Sequence, residues 1–117
     1  MKKIYYLTTC DTCKRIINDL NLPSDFDFQD IKSTPLTKEQ LEALHLLTGS
    51  YEALFSKRAR LYKERKLNEQ SLTETDYKNL ILEHYTFLKR PVIIFNDTVF
   101  IGNSKKTVAQ ASSAIHE

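Results

Sequence analysis

The opening 31 residues constrain the fold of this chain more than any other stretch. Ile4-Tyr5-Tyr6-Leu7 is a short apolar, aromatic-rich run that reads as a strand. A polar turn follows, after which Cys13, Ile16, Ile17 and Leu20 recur at helical spacing; the helix runs from about Asp11 to Leu20, and Asn21-Leu22-Pro23 closes it. From Asp25 to Ile31 polar and apolar residues alternate, the pattern of a half-buried strand. Strand, helix and strand in so short a span make a βαβ unit, normally parallel and right-handed. Cys10 and Cys13 therefore sit where the first strand gives way to the first helix.

That junction has chemical consequences. The first turn of a helix leaves backbone N–H groups without intrahelical partners and presents partial positive charge. A thiolate at Cys10 would be stabilised there, and further by Lys14 and Arg15 if they point its way. Thiol pKa falls in such surroundings, and the thiolate is the reactive form. Cys13 lies three residues on, near enough to attack a bond formed at Cys10. The chain has two cysteines in all, and a Cys-x-x-Cys after a strand reads as a redox pair. A zinc site would need two more ligands, and His45, His84 and His116 are scattered without ligand spacing. Neither a metal nor a cofactor is expected.

Composition narrows the classes. A net charge of +2 is too small to point to a nucleic-acid partner. No run approaches the ~20 apolar residues of a membrane span, and the four-residue apolar run after Met1-Lys2-Lys3 is too short for a secretory signal. The expectation is a cytoplasmic protein, in a compartment where paired cysteines are catalytic or redox-sensing more often than structural.

Farther along, Thr37 caps a helix with Gln40 at the capping-box position; Leu41, Leu44 and Leu47 point inward and Gly49 ends it. Ser50 to Phe55 reads as a short helix. Lys57, Arg58, Arg60, Lys63, Arg65 and Lys66 stand against Glu64 alone in the segment that follows, a pattern of a solvated face or of an anion or partner site. Thr73 caps another helix with Asp76 at the box position and Tyr77, Leu80, Ile81 and Tyr85 along one face. A hairpin follows, Val92–Phe95 and Val99–Ile101 joined by Asn96-Asp97-Thr98, and Ser104 opens a last helix to about Ile115. The order is βαβ, a helical middle, then ββα. It predicts an α/β, thioredoxin-like fold: a four-stranded mixed sheet in one domain over residues 1–117, with a helical insertion at about 37–86.

These residues resemble the arsenate reductase family, the ArsC/Spx group of thioredoxin-like proteins, over nearly the whole chain. The likeness rests on the strand leading to Cys10, on Leu54-Phe55 followed by a polar loop and Tyr62, on Phe87-Leu88-Lys89-Arg90-Pro91-Val92-Ile93-Ile94, and on Gly102 after the hairpin. It implies Cys10 as nucleophile, Cys13 as resolving thiol and Arg90 as oxyanion partner, with Pro91 in a cis peptide at the head of a strand. A guanidinium is always charged and offers paired donors to oxyanions. Thr9, Asp11 and Thr12 would frame the substrate loop, with Arg58 and Arg60 adding positive charge. The implied substrate is a small oxyanion such as arsenate, or a thiol or disulfide, with glutathione and glutaredoxin or thioredoxin as external reductant. Glutaredoxin-coupled arsenate reductases carry further arginines where this chain has Ser56 and Asn103. The cysteine pair resembles instead the Spx-like branch, where the pair is a disulfide switch and the implied protein partner is RNA polymerase.

Overall fold

A computed structural model describes residues 1–117. The chain divides into two compact units, Met1–Thr34 with Arg90–Glu117, and Pro35–Lys89.

The first unit holds the sheet. Its strands are β1 (Lys2–Tyr6), β2 (Asp27–Asp30), β3 (Val92–Phe95) and β4 (Thr98–Ile101), and its helices are α1 (Asp11–Leu20) and, here named α5 by chain order, Lys105–His116. Strand order is β2-β1-β3-β4. β1 and β2 are parallel, with Ile4 opposite Phe28, whereas β3 runs antiparallel to both β1 and β4. This is the mixed thioredoxin-like sheet that the element order predicts. Ile4 and Ile93 on the sheet, Ile16 and Leu20 on α1 and Ala111 on α5 share one core with Phe26. Each buried large aliphatic side chain stabilises by about 1.5–3 kcal/mol, so this core fixes α1 on the sheet. Phe26 stacks on Phe95 at 6.3 Å. His116 Nε2 donates to the Leu20 carbonyl at 2.6 Å, tying the end of α5 to the end of α1. α1 stops at Asn21, whose φ of 48° is a left-handed cap that asparagine tolerates.

Two local expectations shift in this unit. Alternation puts Phe28 inside and Gln29 outside; instead Phe28 is 45% exposed and Gln29 is buried. β2 is an edge strand, so Phe28 finds cover on one flank only, edge-on to Tyr6 at 5.8 Å. Gln29 is tolerated inside because its Nε2 donates to the Thr34 carbonyl at 3.0 Å. The hairpin turn is also tighter than read: Phe95 pairs with Thr98, leaving Asn96 and Asp97 as the loop, with Asn96 at φ 57°. The preference of asparagine for positive φ does here what Asn-Gly usually does.

The second unit is helical: α2 (Lys38–Thr48), α3 (Arg60–Glu64) and α4 (Glu74–Glu83), with single 3-10 turns at Glu52–Leu54, Leu67–Glu69 and Tyr85–Phe87. Both capping boxes form, Thr37 with Gln40 and Thr73 with Asp76, each exchanging two hydrogen bonds. The Glu74 carboxylate accepts the N–H groups of Tyr51 at 2.7 Å and Glu52 at 3.1 Å, closing the start of the first 3-10 turn. Phe55 is the hub of an aromatic core, with Phe87 at 5.2 Å, Tyr77 at 4.8 Å and Tyr62 at 5.8 Å. The basic segment is solvated and partly self-neutralised through Lys57–Glu52 (2.7 Å), Arg60–Glu64 (3.7 Å) and Arg65–Glu83 (2.6 Å). Leu47 departs from expectation: Leu41 and Leu44 are fully buried, but Leu47, in the last turn of α2, is 39% exposed. No helix is long and apolar enough to cross a membrane.

Leu44 is 0% exposed and Leu46, two positions on, is 86% exposed. Leu44→Ala should therefore cost about 2–5 kcal/mol of stability in denaturant unfolding, and Leu46→Ala should stay within about 0.5 kcal/mol. Equal losses in the two variants would contradict this packing.

Candidate active site

The site is assembled by the end of β1. Leu7 leaves the strand, its carbonyl accepts the Cys10 N–H at 3.2 Å, and this closes a turn over Thr8 and Thr9. Cys10 then caps α1 with extended backbone (φ −96°, ψ 110°), its carbonyl accepting the Lys14 N–H at 3.1 Å. A serine or aspartate in that place would accept an amide with its side-chain oxygen. Here sulfur does so: the Cys13 N–H donates to Cys10 Sγ at 3.4 Å. The sulfur is thus the helix cap itself. Asp11, exposed in the first turn, suits the positive end of the helix.

The two thiols are driven apart electrostatically. Burial pushes the Cys10 thiol up, but the Cys13 N–H, the Cys13 thiol, the Arg90 charge and the Thr12 backbone together bring it below the ordinary thiol value. Cys13 is fully buried, 0% exposed. Burial comes first in raising it to about 11, opposed by a hydrogen bond from the Leu7 backbone and the Arg90 charge, and reinforced by the hydrogen bond to Cys10 and the Cys10 charge. One proton held between two sulfurs thus resides on Cys13, and the charge resides on the more accessible Cys10.

Of the residues singled out in the sequence, Cys10, Cys13, Thr12 and Arg90 act on one another. Arg90 half-emerges at the head of β3, its Nε out of reach of solvent. The Arg90–Pro91 peptide is cis, and Pro91 is fully buried with its carbonyl accepting the Gly102 N–H at 2.9 Å. Thr9 is exposed in the turn, and Thr12 contributes its backbone. Lys14 and Arg15 do not serve Cys10 as the sequence allowed: both are exposed on α1, and the charge that reaches the sulfur is that of Arg90. Arg58 and Arg60 belong to the second unit, Arg58 exposed before α3 and Arg60 paired with Glu64 within it. No group of three or more His, Cys, Asp or Glu side chains could hold a metal ion.

Sequence reasoning missed the hydrogen bond from Thr8 Oγ1 to Asp30 Oδ2, 2.7 Å long, which ties the turn before Cys10 to the end of β2. Its only signal in the sequence is a polar residue at the last position of each parallel strand or just beyond.

Comparison with known proteins covers nearly the whole chain. The sequence pattern described as the ArsC family matches residues 5–111. The regulatory protein MgsR of Bacillus subtilis is 24% identical, the match covering 92% of this chain and 94% of that protein. The global transcriptional regulator Spx 1 of Bacillus cereus is 23% identical, over 92% of this chain and 84% of the relative. An arsenate reductase from Vibrio cholerae superposes with a TM-score of 0.77 at 21% identity, over 93% of this chain and 95% of that one, a likeness of fold.

Thiolate ultraviolet absorbance of the intact protein followed across pH should therefore show two separate thiol steps, Cys10 below the ordinary thiol value and Cys13 at about 11. Arg90→Ala removes a positive charge that favours both thiolates, so both midpoints should rise. A single merged step in the wild type, or midpoints that Arg90→Ala leaves in place, would contradict these electrostatics.

Proposed function

The chain belongs to the ArsC family, and from that premise we propose that it is a thiol-disulfide oxidoreductase working through Cys10. The observation that carries the reading is the sulfur of Cys10 standing as the cap of α1, accepting the Cys13 N–H at 3.4 Å. Such a cap holds a thiolate, and the thiolate is what attacks. Cys10 Sγ displaces one sulfur of a disulfide as thiolate, or bonds to an arsenic oxyanion with loss of an oxygen as water. Arg90 offsets the charge that develops on the substrate.

Cys13 then resolves the adduct. Two of the influences that keep its proton in place are the hydrogen bond to Cys10 and the Cys10 charge. Both vanish once Cys10 is bonded to substrate, while the Arg90 charge remains. The Cys13 sulfur attacks Cys10 Sγ, and the reduced product departs with the electron pair and takes up the Cys13 proton. The protein is left with a Cys10–Cys13 disulfide, which an external thiol (glutathione with glutaredoxin, or thioredoxin) reduces. With arsenate as oxidant the balance is two thiols oxidised to one disulfide, arsenate reduced to arsenite and one water formed. Thr9, Asp11 and Thr12 frame the substrate in this reading, in one thioredoxin-like domain with a helical insertion at about 37–86.

A second reading is favoured by a specific observation: the curated relatives with matched sequences are named as regulators. In that reading the same disulfide forms once, and its presence changes affinity for a protein partner, RNA polymerase being the one implied by the Spx-like resemblance.

The two separate in one assay. Arsenate-dependent consumption of glutathione with glutaredoxin, or of reduced thioredoxin, over many turnovers identifies the enzyme; one stoichiometric oxidation with altered partner affinity identifies the switch. Cys10→Ser should abolish either response. Given a disulfide substrate and no external reductant, Cys13→Ser should leave Cys10 trapped in a mixed disulfide, visible by mass. Full activity and full response in Cys10→Ser would end both readings.

A further inference from the structure

The Thr8–Asp30 bond has a geometry beyond simple surface pairing. Asp30 is the last residue of β2, paired with Tyr6 at the end of β1, and the Ile31 N–H donates to the Tyr6 carbonyl at 3.0 Å. The two parallel strands therefore end together, immediately before the turn that leads to Cys10. The Asp30 carboxylate is not a free rotor. Oδ1 accepts the Lys32 N–H at 3.0 Å, and the Asp30 carbonyl receives the Thr34 N–H at 2.8 Å and Ser33 Oγ at 3.3 Å. With one oxygen held by its own turn, the other is aimed at Thr8 Oγ1, 2.7 Å away.

Thr8 is exposed and sits inside the turn closed by the bond from Cys10 N–H to the Leu7 carbonyl. That turn decides the direction in which Cys10 enters α1. We propose that Asp30 is a positioning residue for Cys10, its carboxylate acting through the Thr8 hydroxyl to hold the turn that sets the Cys10 sulfur over the first amides of α1. The inference rests on the reading of Cys10 as the reactive thiol. Thr8 and Asp30 touch neither substrate nor sulfur in it.

The sign of the effect separates this role from plain electrostatics. A nearby carboxylate charge disfavours a thiolate, so removing it should make Cys10 more acidic. Loss of a positioning bond should make Cys10 less acidic, because the hydrogen bonds from the Cys13 and Thr12 backbones loosen.

The experiment is the pH profile of Cys10 alkylation by iodoacetamide in the full chain, with circular dichroism on each variant to verify folding. Thr8→Val and Asp30→Ala should each raise the Cys10 midpoint. The rate below the wild-type midpoint should fall on the order of three- to ten-fold, the span of half to one unit of thiol pKa. Both changes together should do no more than Asp30→Ala alone, since that change removes the bond to the Thr8 hydroxyl along with the backbone contacts of Thr8, Lys32 and Ser33 to the same carboxylate. Thr8→Ser keeps the hydroxyl. Asp30→Asn keeps a carbonyl for the Lys32 N–H and an amide that donates to Thr8 Oγ1. Both should therefore behave as wild type, although Asp30→Asn has lost the charge. If Asp30→Ala fails to fold, Thr8→Val and Thr8→Ser decide the matter. An unchanged profile in Thr8→Val overturns the proposal, as does a lowered midpoint shared by Asp30→Ala and Asp30→Asn. A low-midpoint step that survives in Cys10→Ser would instead overturn the assignment of Cys10 beneath it.

Discussion

One hydrogen bond organises the first unit of this protein: the Cys13 amide pointing at the sulfur of Cys10. It replaces the oxygen that usually caps a helix with sulfur, so the proposed nucleophile and the structural cap become the same atom. Everything nearby serves to keep that coincidence. The buried face of α1, through Ile16 and Leu20, pins the helix on the sheet. The end of β1 fixes where the helix must begin, and the Leu7–Cys10 turn fixes the angle at which it does so.

The second requirement is a positive charge that does not come from the same stretch of chain. Lys14 and Arg15 are near Cys10 in sequence, yet they project outward along α1. Arg90 is eighty positions away, and β3 pairing antiparallel to β1 brings its charge to the sulfur. A charge on a strand head is anchored by the sheet, whereas one on an exposed helical side chain is screened and mobile. Cys13 is nonetheless raised to about 11, first by its burial and then by the hydrogen bond to Cys10 and the Cys10 charge, with Arg90 opposing the rise.

Much of this was legible in the sequence, and the reasons are local. Helix α1 could be read to its observed ends, since the cysteine junction and Asn21-Leu22-Pro23 mark both boundaries. Both capping boxes were visible as Thr-x-x-Gln and Thr-x-x-Asp. What local pattern could not supply was the position of each element in the sheet. Alternation around Phe28 and Gln29 reads as an ordinary half-buried strand, but only the strand order reveals an edge on which a phenylalanine stays partly wet. Leu47 fits the apolar stripe of α2, and the helix ends before that face is covered. Thr8 and Asp30 meet through tertiary pairing of strand ends, for which no periodicity exists.

The complete burial of Cys13 would give the proposed Cys10–Cys13 disulfide two unequal sulfurs. An incoming reductant can approach only the outer sulfur, so the atom it must expel is the inner one, the less acidic of the two. Weakly acidic thiols are poor leaving groups. In the proposed cycle, burial alone thus decides which of the two sulfurs a reductant meets.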